Sequence, residues 1–228
     1  MRIHVTYTGG TIGMIDSPSG LVPGADLKGW LYSLIAGTEL EGRVSLTELD
    51  PLIDSSNAAP GSWQQIIEDL RTHHADRPAQ GYVVLHGTDT MAYTSAALSY
   101  ALADFDRPVV ITGSQLPLSV VGSDAAPNVT GALRAATSRR AVGVSLFFGH
   151  HLLAGNRATK TSSWAFQGFT SPNAVPLAVT GAPWQWTRPS EAGTGWPHPK
   201  PYERHDVVVI DLAPGITAAR LEALLTPL

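Results

Sequence analysis

Residues 82–93 read YVVLHGTDTMAY. Tyr82, Val83, Val84 and Leu85 make an unbroken apolar run, the pattern of a strand buried on both faces, and residues 94–102 return apolar side chains at helical spacing. HGTDT therefore sits where a strand ends and a helix begins. In an open parallel sheet ligands bind at that edge, because loops leaving the carboxyl ends of the strands open a crevice and the next helix offers unpaired N–H groups. Thr88 and Asp89 are thus placed at an expected binding edge of an α/β fold.

Toward the N-terminus, residues 3–8 form a second apolar strand that runs into Gly9, Gly10, Thr11, Ile12 and Gly13. Residues 9–24 are rich in Gly, Ser and Pro, the make-up of a surface loop able to act as a lid. Leu27, Trp30, Leu31 and Leu34 predict a helix, and Val44, Leu46 and Leu49 predict an extended segment entering the polar loop DPLIDSSN at residues 50–57. Ile66, Ile67 and Leu70 predict a helix capped by Ser62.

Toward the C-terminus, residues 108–112 predict a strand that stops at Gly113, Ser114 and Gln115, residues 129–137 a helix, and residues 142–148 a further strand. Strands alternating with helices through short connections predict an open, mostly parallel sheet with helices on both faces. Residues 149–161 then predict a hairpin turning at Gly155, Asn156 and Arg157 and ending near Lys160. Pro and Gly crowd the following stretch. The expected division is a catalytic domain at 1–182, a linker at 183–206, and at 207–228 one strand (207–212) and one helix, the start of an incomplete second α/β domain.

Composition narrows the partners. The 228 residues are 43% apolar and 15% charged, with a net charge of -4, so a soluble globular protein without a broad basic surface is expected and nucleic acid is not an expected partner. No apolar run reaches the roughly 20 residues of a membrane-spanning helix. Met1 precedes the first strand almost directly, leaving no room for a cleavable leader, so a cytoplasmic location is expected. The absence of cysteine removes thiolate nucleophiles and Cys-ligated metal.

A hydroxyl attacks a carbonyl well when one group takes its proton and another receives the charge building on oxygen. Thr11 is such a hydroxyl, and Gly9-Gly10 lets backbone N–H groups approach a substrate. Thr88, Asp89 and Lys160 can supply the base, since a lysine beside a carboxylate can move a proton through a second hydroxyl. Asp54, Ser55 and Ser56 add a carboxylate and two hydroxyls. Taken singly each has a plainer use: a turn, a helix cap for Asp89, a solvated lysine. His86 at a strand end is expected to be a hydrogen-bonded core residue. The adjacent pairs His73-His74 and His150-His151 diverge on a helix or strand and make poor metal sites. Walker, dinucleotide, G-x-S-x-G and H-E-x-x-H patterns are absent.

YTGGTIGM (7–14) and LHGTDTMAYT (85–94), with PLIDSSN (51–57), ITGSQLPL (111–118) and GNRATK (155–160), resemble the bacterial-type L-asparaginases, especially the cytoplasmic type I branch. The resemblance implies conversion of L-asparagine to L-aspartate and ammonia through a covalent ester on Thr11, with Thr88, Asp89 and Lys160 as the second catalytic group. It also implies that Asp54, Ser55 and Ser56, with Thr88 and Asp89, hold the substrate's α-carboxylate and α-amino groups. No metal or organic cofactor is implied, and a homodimer or homotetramer is implied for a chain whose second domain is complete. Two features depart from the family pattern. Leu21 stands where the lid usually carries a tyrosine, leaving Tyr93 or Ser19 as replacement hydroxyls, and the second domain stops after its first βα unit. A mixed glutaminase/asparaginase and a catalytically impaired homologue that only binds asparagine or aspartate are therefore the alternatives.

Overall fold

The computed structural model describes residues 2–18, 20–187, 207 and 209–225. In chain order the elements are β1 (Ile3–Tyr7), β2 (Met14–Ser17), β3 (Gly20–Pro23), α1 (Leu27–Ile35), β4 (Val44–Glu48), α2 (Pro60–Asp76), β5 (Gly81–Leu85) and α3 (Met91–Ala101). They continue with β6 (Val109–Thr112), α4 (Ala125–Thr137), β7 (Val144–Phe148), β8 (His151–Ala154), β9 (Thr159–Lys160), β10 (Phe169–Thr170), β11 (Ala178–Val179), β12 (Gln185–Trp186) and α5 (Ala218–Leu225).

Eight strands form one sheet in the order β12-β11-β8-β7-β6-β5-β1-β4. The run from β4 to β7 is parallel, while β8, β11 and β12 are antiparallel. The open, mostly parallel α/β sheet expected from the sequence is what forms. Strand alternation divides its core into two layers. Ile3, Val5, Val83, Leu85, Val110 and Phe147 face α1 and α4, where Leu27, Leu31, Val129 and Leu133 are buried. The intervening residues Tyr82, Val84, Val109, Ile111, Leu146 and Phe148 face α2 and α3, where Ile66, Leu70, Met91 and Leu98 are buried. Continuous apolar strands are thus explained by burial on both sides.

Several expectations need correction. Residues 9–24 are not merely loop, because β2 and β3 pair as a hairpin. Ser62 does not cap α2. The helix starts at Pro60, whose missing N–H suits a first helical position, and Ser62 instead accepts from the Ala59 N–H at 3.3 Å. The hairpin expected to turn at Gly155 turns earlier, at Gly149 and His150 (φ 51° and 76°), so that β8 returns against β7 while β9 pairs with β10. Two positive φ values are what a tight two-residue hairpin turn requires. Gln185–Trp186, inside the expected linker, is the last strand of the sheet. The remainder of that linker, residues 188–206, lies outside the described residues. Residues 207 and 209–212 form no strand, and the helix that follows, α5, has no buried residue. Among the described residues no helix is long and apolar enough to cross a membrane.

A polar cluster lies beneath α2. His4 is 1% exposed, bonds to the Ser45 and Thr47 hydroxyls at 2.9 and 2.6 Å, and stacks on His73 with ring centroids 3.4 Å apart. Burial, and secondly the neighbouring His73, lowers the His4 pKa to about 3. A histidine whose pKa falls on folding must be neutral in the fold, so its contribution is complete above the unfolded value of about 6.5 and is lost as the pH falls from there toward 3. Unfolding free energies from urea titrations between pH 7.5 and 4.5 are expected to drop, by up to about 1.4 kcal/mol per pH unit for one fully linked proton. His4→Gln is expected to flatten that slope.

Candidate active site

The site is built at the carboxyl ends of three adjacent strands. The Thr8 N–H and hydroxyl both donate to the Leu85 carbonyl, at 2.9 and 3.0 Å, locking the end of β1 to the end of β5. On the other side, Leu49 and Ile53 N–H groups donate to the Tyr7 and Thr8 carbonyls, drawing in the loop that follows β4.

Glycine then brings the turns together. Gly10 has φ 98°, and a Cβ there would strike the Cα and N of Gly87. The backbones preceding Thr11 and Thr88 are therefore in contact. Thr11 opens a short 3-10 turn, residues Thr11–Gly13, stitched to the hairpin by Gly24 and Ala25 N–H groups on the Gly13 carbonyl. A Cβ on Gly87 would in turn meet the Ser55 hydroxyl, so Ser55, 5% exposed, closes a third side. Its carbonyl accepts from the Thr90 hydroxyl at 2.8 Å.

Lys160 arrives from β9. Its ammonium donates to Thr88 Oγ1 at 2.9 Å and to Asp89 Oδ1 at 3.0 Å. The side chain of Lys160 is only 20% exposed, that of Asp89 59%. Asp89 therefore pairs with the lysine, and the N-cap of α3 is Thr90. The four residues expected to carry the chemistry are thus held as two contacting turns, with a cation bonded to one of them.

Asp54 and Ser56 sit differently from Ser55. Both are exposed, and the Asp54 carboxylate accepts from the Ser56 hydroxyl, the Ser56 N–H and the Asn57 amide at 2.8 to 3.0 Å. Those bonds, led by the Ser56 hydroxyl, hold its carboxyl below the usual carboxylate range. Asp54 therefore shapes the loop that presents Ser55.

His86 scaffolds the turn. Trp63 Nε1 donates to Thr94 Oγ1 at 3.1 Å, Thr94 Oγ1 lies 3.0 Å from His86 Nε2, and His86 Nδ1 lies 2.7 Å from the Gly87 carbonyl. A carbonyl only accepts, so Nδ1 carries the proton and Nε2 accepts from Thr94. Burial pushes the His86 pKa down, which keeps the ring neutral and suits it to structure. Three further histidines are engaged separately: His74 with Tyr82, His150 with Thr180, His151 with Gln167. Among the described residues no group of three or more His, Cys, Asp or Glu is placed to hold a metal ion.

Two supporting residues escape sequence reasoning. Asp124, 5% exposed at the start of α4, accepts from the Gln115 and Leu116 N–H groups and from the Asn128 amide. Asn128 also donates to the Gly113 carbonyl and accepts from the Gly149 N–H. Together they set the loop after β6, whose Leu118 N–H donates to the Ile12 carbonyl beside Thr11. An Asp–Asn pair four residues apart at a helix start is the available signal. Of the replacement hydroxyls, Tyr93 is 69% exposed on α3 and Ser19 lies outside the described residues. Leu21, on β3, is 45% exposed.

Residues 2–191 match the family model "Asparaginase, N-terminal". The chain belongs to the asparaginase family. Escherichia coli L-asparaginase 1 is 40% identical over 223 residues, which cover 95% of this chain and 64% of that protein. The mouse 60 kDa lysophospholipase is 36% identical over 251 residues, covering 99% of this chain and 44% of that one. Among solved asparaginases, the crystal structure of L-asparaginase I from Vibrio cholerae superposes with a TM-score of 0.84 at 34% identity, covering 99% of this chain and 68% of that one. The chain thus spans under two thirds of the length of the curated relatives named here.

Proposed function

We propose that this asparaginase-family chain is an amidohydrolase that converts L-asparagine to L-aspartate and ammonia through a covalent ester on Thr11. The observation that carries it is the bond from the Lys160 ammonium to the Thr88 hydroxyl, within a turn whose Gly87 touches the Gly10 preceding Thr11. A small amide between the two turns meets a hydroxyl from each side. Thr11 Oγ attacks the side-chain carbonyl carbon, its proton leaves toward a neighbouring base, and the C–N bond breaks as ammonia departs with a proton. Water, deprotonated through the Thr88–Lys160 pair, then cleaves the ester, releasing aspartate and restoring the hydroxyl. Asp89 keeps the lysine in place and, with Ser55, faces the substrate's α-amino and α-carboxylate groups.

Residues 1–182, extended to the strand at Gln185–Trp186, form the catalytic domain in this proposal, and residues 207–228 begin a second. Assembly as a homodimer or homotetramer and a cytoplasmic location are part of the same proposal. It is tested by ammonia release from L-asparagine and L-glutamine. Turnover of asparagine is expected, and a preference set by one methylene amounts to about 10- to 200-fold. Lys160→Met is expected to lower that turnover about 10²- to 10⁴-fold. The exposed Leu21 in the lid hairpin favours a second reading, binding without turnover. Calorimetric binding of asparagine with no ammonia over hours would establish that one.

A further inference from the structure

We propose that a groove at the opposite edge of the sheet binds a small multivalent oxyanion of the phosphate class. The groove, of about 170 Å³, is lined by Arg2, Arg43, Ser45, His73 and Arg77. Arg2 precedes β1 and Arg43 precedes β4, so it opens at the amino ends of the strands whose carboxyl ends carry the Thr11 turn and the 50–57 loop. Five strand residues at about 3.3 Å each put it roughly 17 Å from the amide site.

Charge is what sets this groove apart. The chain carries a net charge of -4, and several of its other arginines are engaged: Arg71 pairs with Asp104, Arg107 with Asp106, and Arg134 and Arg140 lie over the Trp184 and Trp186 rings. Here three arginines line one concavity. Among the described residues neither Arg43 nor Arg77 has a side-chain hydrogen bond or ion pair, and Arg2 reaches only the Pro78 carbonyl at 3.4 Å.

Negative charge close by offsets them only in part. Asp69, bonded to the Thr6 hydroxyl at 2.7 Å and 3.9 Å from His4, also acts on His73. Asp76 and the carboxyl end of α2 add some negative potential, so a monovalent anion gains little and a multivalent one more. Guanidinium forks match the paired oxygens of a phosphate, and Ser45 and His73 add further polar groups. The groove is small, about 170 Å³, which suits an anion of phosphate or pyrophosphate size.

Titration calorimetry with inorganic pyrophosphate on the full chain tests this. Saturable one-to-one binding is expected, weakened at least tenfold in the Arg43→Ala/Arg77→Ala double variant. It should be restored in large part by Arg43→Lys/Arg77→Lys and unchanged by Thr11→Ala, which separates this site from the amide site. Both arginines are exposed, and the thermal midpoint without anion checks that the variants fold. No saturable binding, or equal affinity in the alanine double variant, overturns the proposal. Citrate binding as tightly as pyrophosphate overturns the assignment to phosphate.

Discussion

Thr11→Ala is expected to reduce ammonia release from L-asparagine by about four to six orders of magnitude while leaving the thermal midpoint nearly unchanged. The size follows from removing the atom proposed to bond to the substrate carbon, for which losses on the order of 10⁴ to 10⁶ are typical of covalent hydrolases. The small structural effect follows from the environment. Thr11 is partly exposed, and the 3-10 turn it opens has no side-chain cap. A coupled ammonia assay with purified wild type and variant reads the effect. Retention of a tenth of the wild-type rate would remove Thr11 as nucleophile and leave Thr88 as the next hydroxyl to substitute.

Gly10→Ala is expected to be among the most damaging single substitutions in the site, costing about 2–5 kcal/mol of stability. Two causes add. A left-handed backbone costs an alanine roughly 1–2 kcal/mol, and overpacking against backbone costs about 1–3 kcal/mol more. The new methyl would press on the Gly87 Cα and N, which cannot rotate away. Gly20→Ala isolates the first cause, since Gly20 has φ 100° but open space around it, and a loss of only about 1–2 kcal/mol is expected there. Urea unfolding of both variants makes the comparison, and equal losses would mean that the Gly10–Gly87 contact is loose. Turnover by any folded Gly10→Ala protein is expected to fall about 10²-fold, because parting the turns by about 1 Å misplaces the two hydroxyls.

The parallel half of the sheet was legible because its signals are local. Tyr82–Leu85 and residues 108–112 are apolar runs of strand length, and Leu27, Trp30, Leu31 and Leu34 recur at helical spacing. Strand ends could likewise be located, which placed Thr11, Thr88 and Asp89 on one edge. Partnerships across the chain were not legible. The turn at Gly149–His150 depends on a histidine taking φ 76°, which side chains rarely do, so the sequence favoured the more polar Gly-Asn-Arg as the turn. Trp186 looked like part of a Pro-rich tether, yet it belongs to a strand pairing with β11, and Arg140 lies over its ring. Asp124 carried no motif of its own. Its value lies in two backbone N–H groups eight and nine residues earlier, a relation only the folded loop reveals.

The position of β1 between β4 and β5 bears on how the protein folds. The Thr8–Leu85 bond closes a loop of 77 residues and the Lys160–Thr88 bond one of 72, and such distant pairings form late because the entropy of loop closure is spent before any contact rewards it. Helices and the β7–β8 hairpin are local and come early. On the proposed mechanism, a chain emerging from the ribosome acquires catalytic competence only after residue 160 is free to fold back. Recovery of amide hydrolysis after dilution from denaturant accordingly marks the end of folding, well behind the return of helical signal.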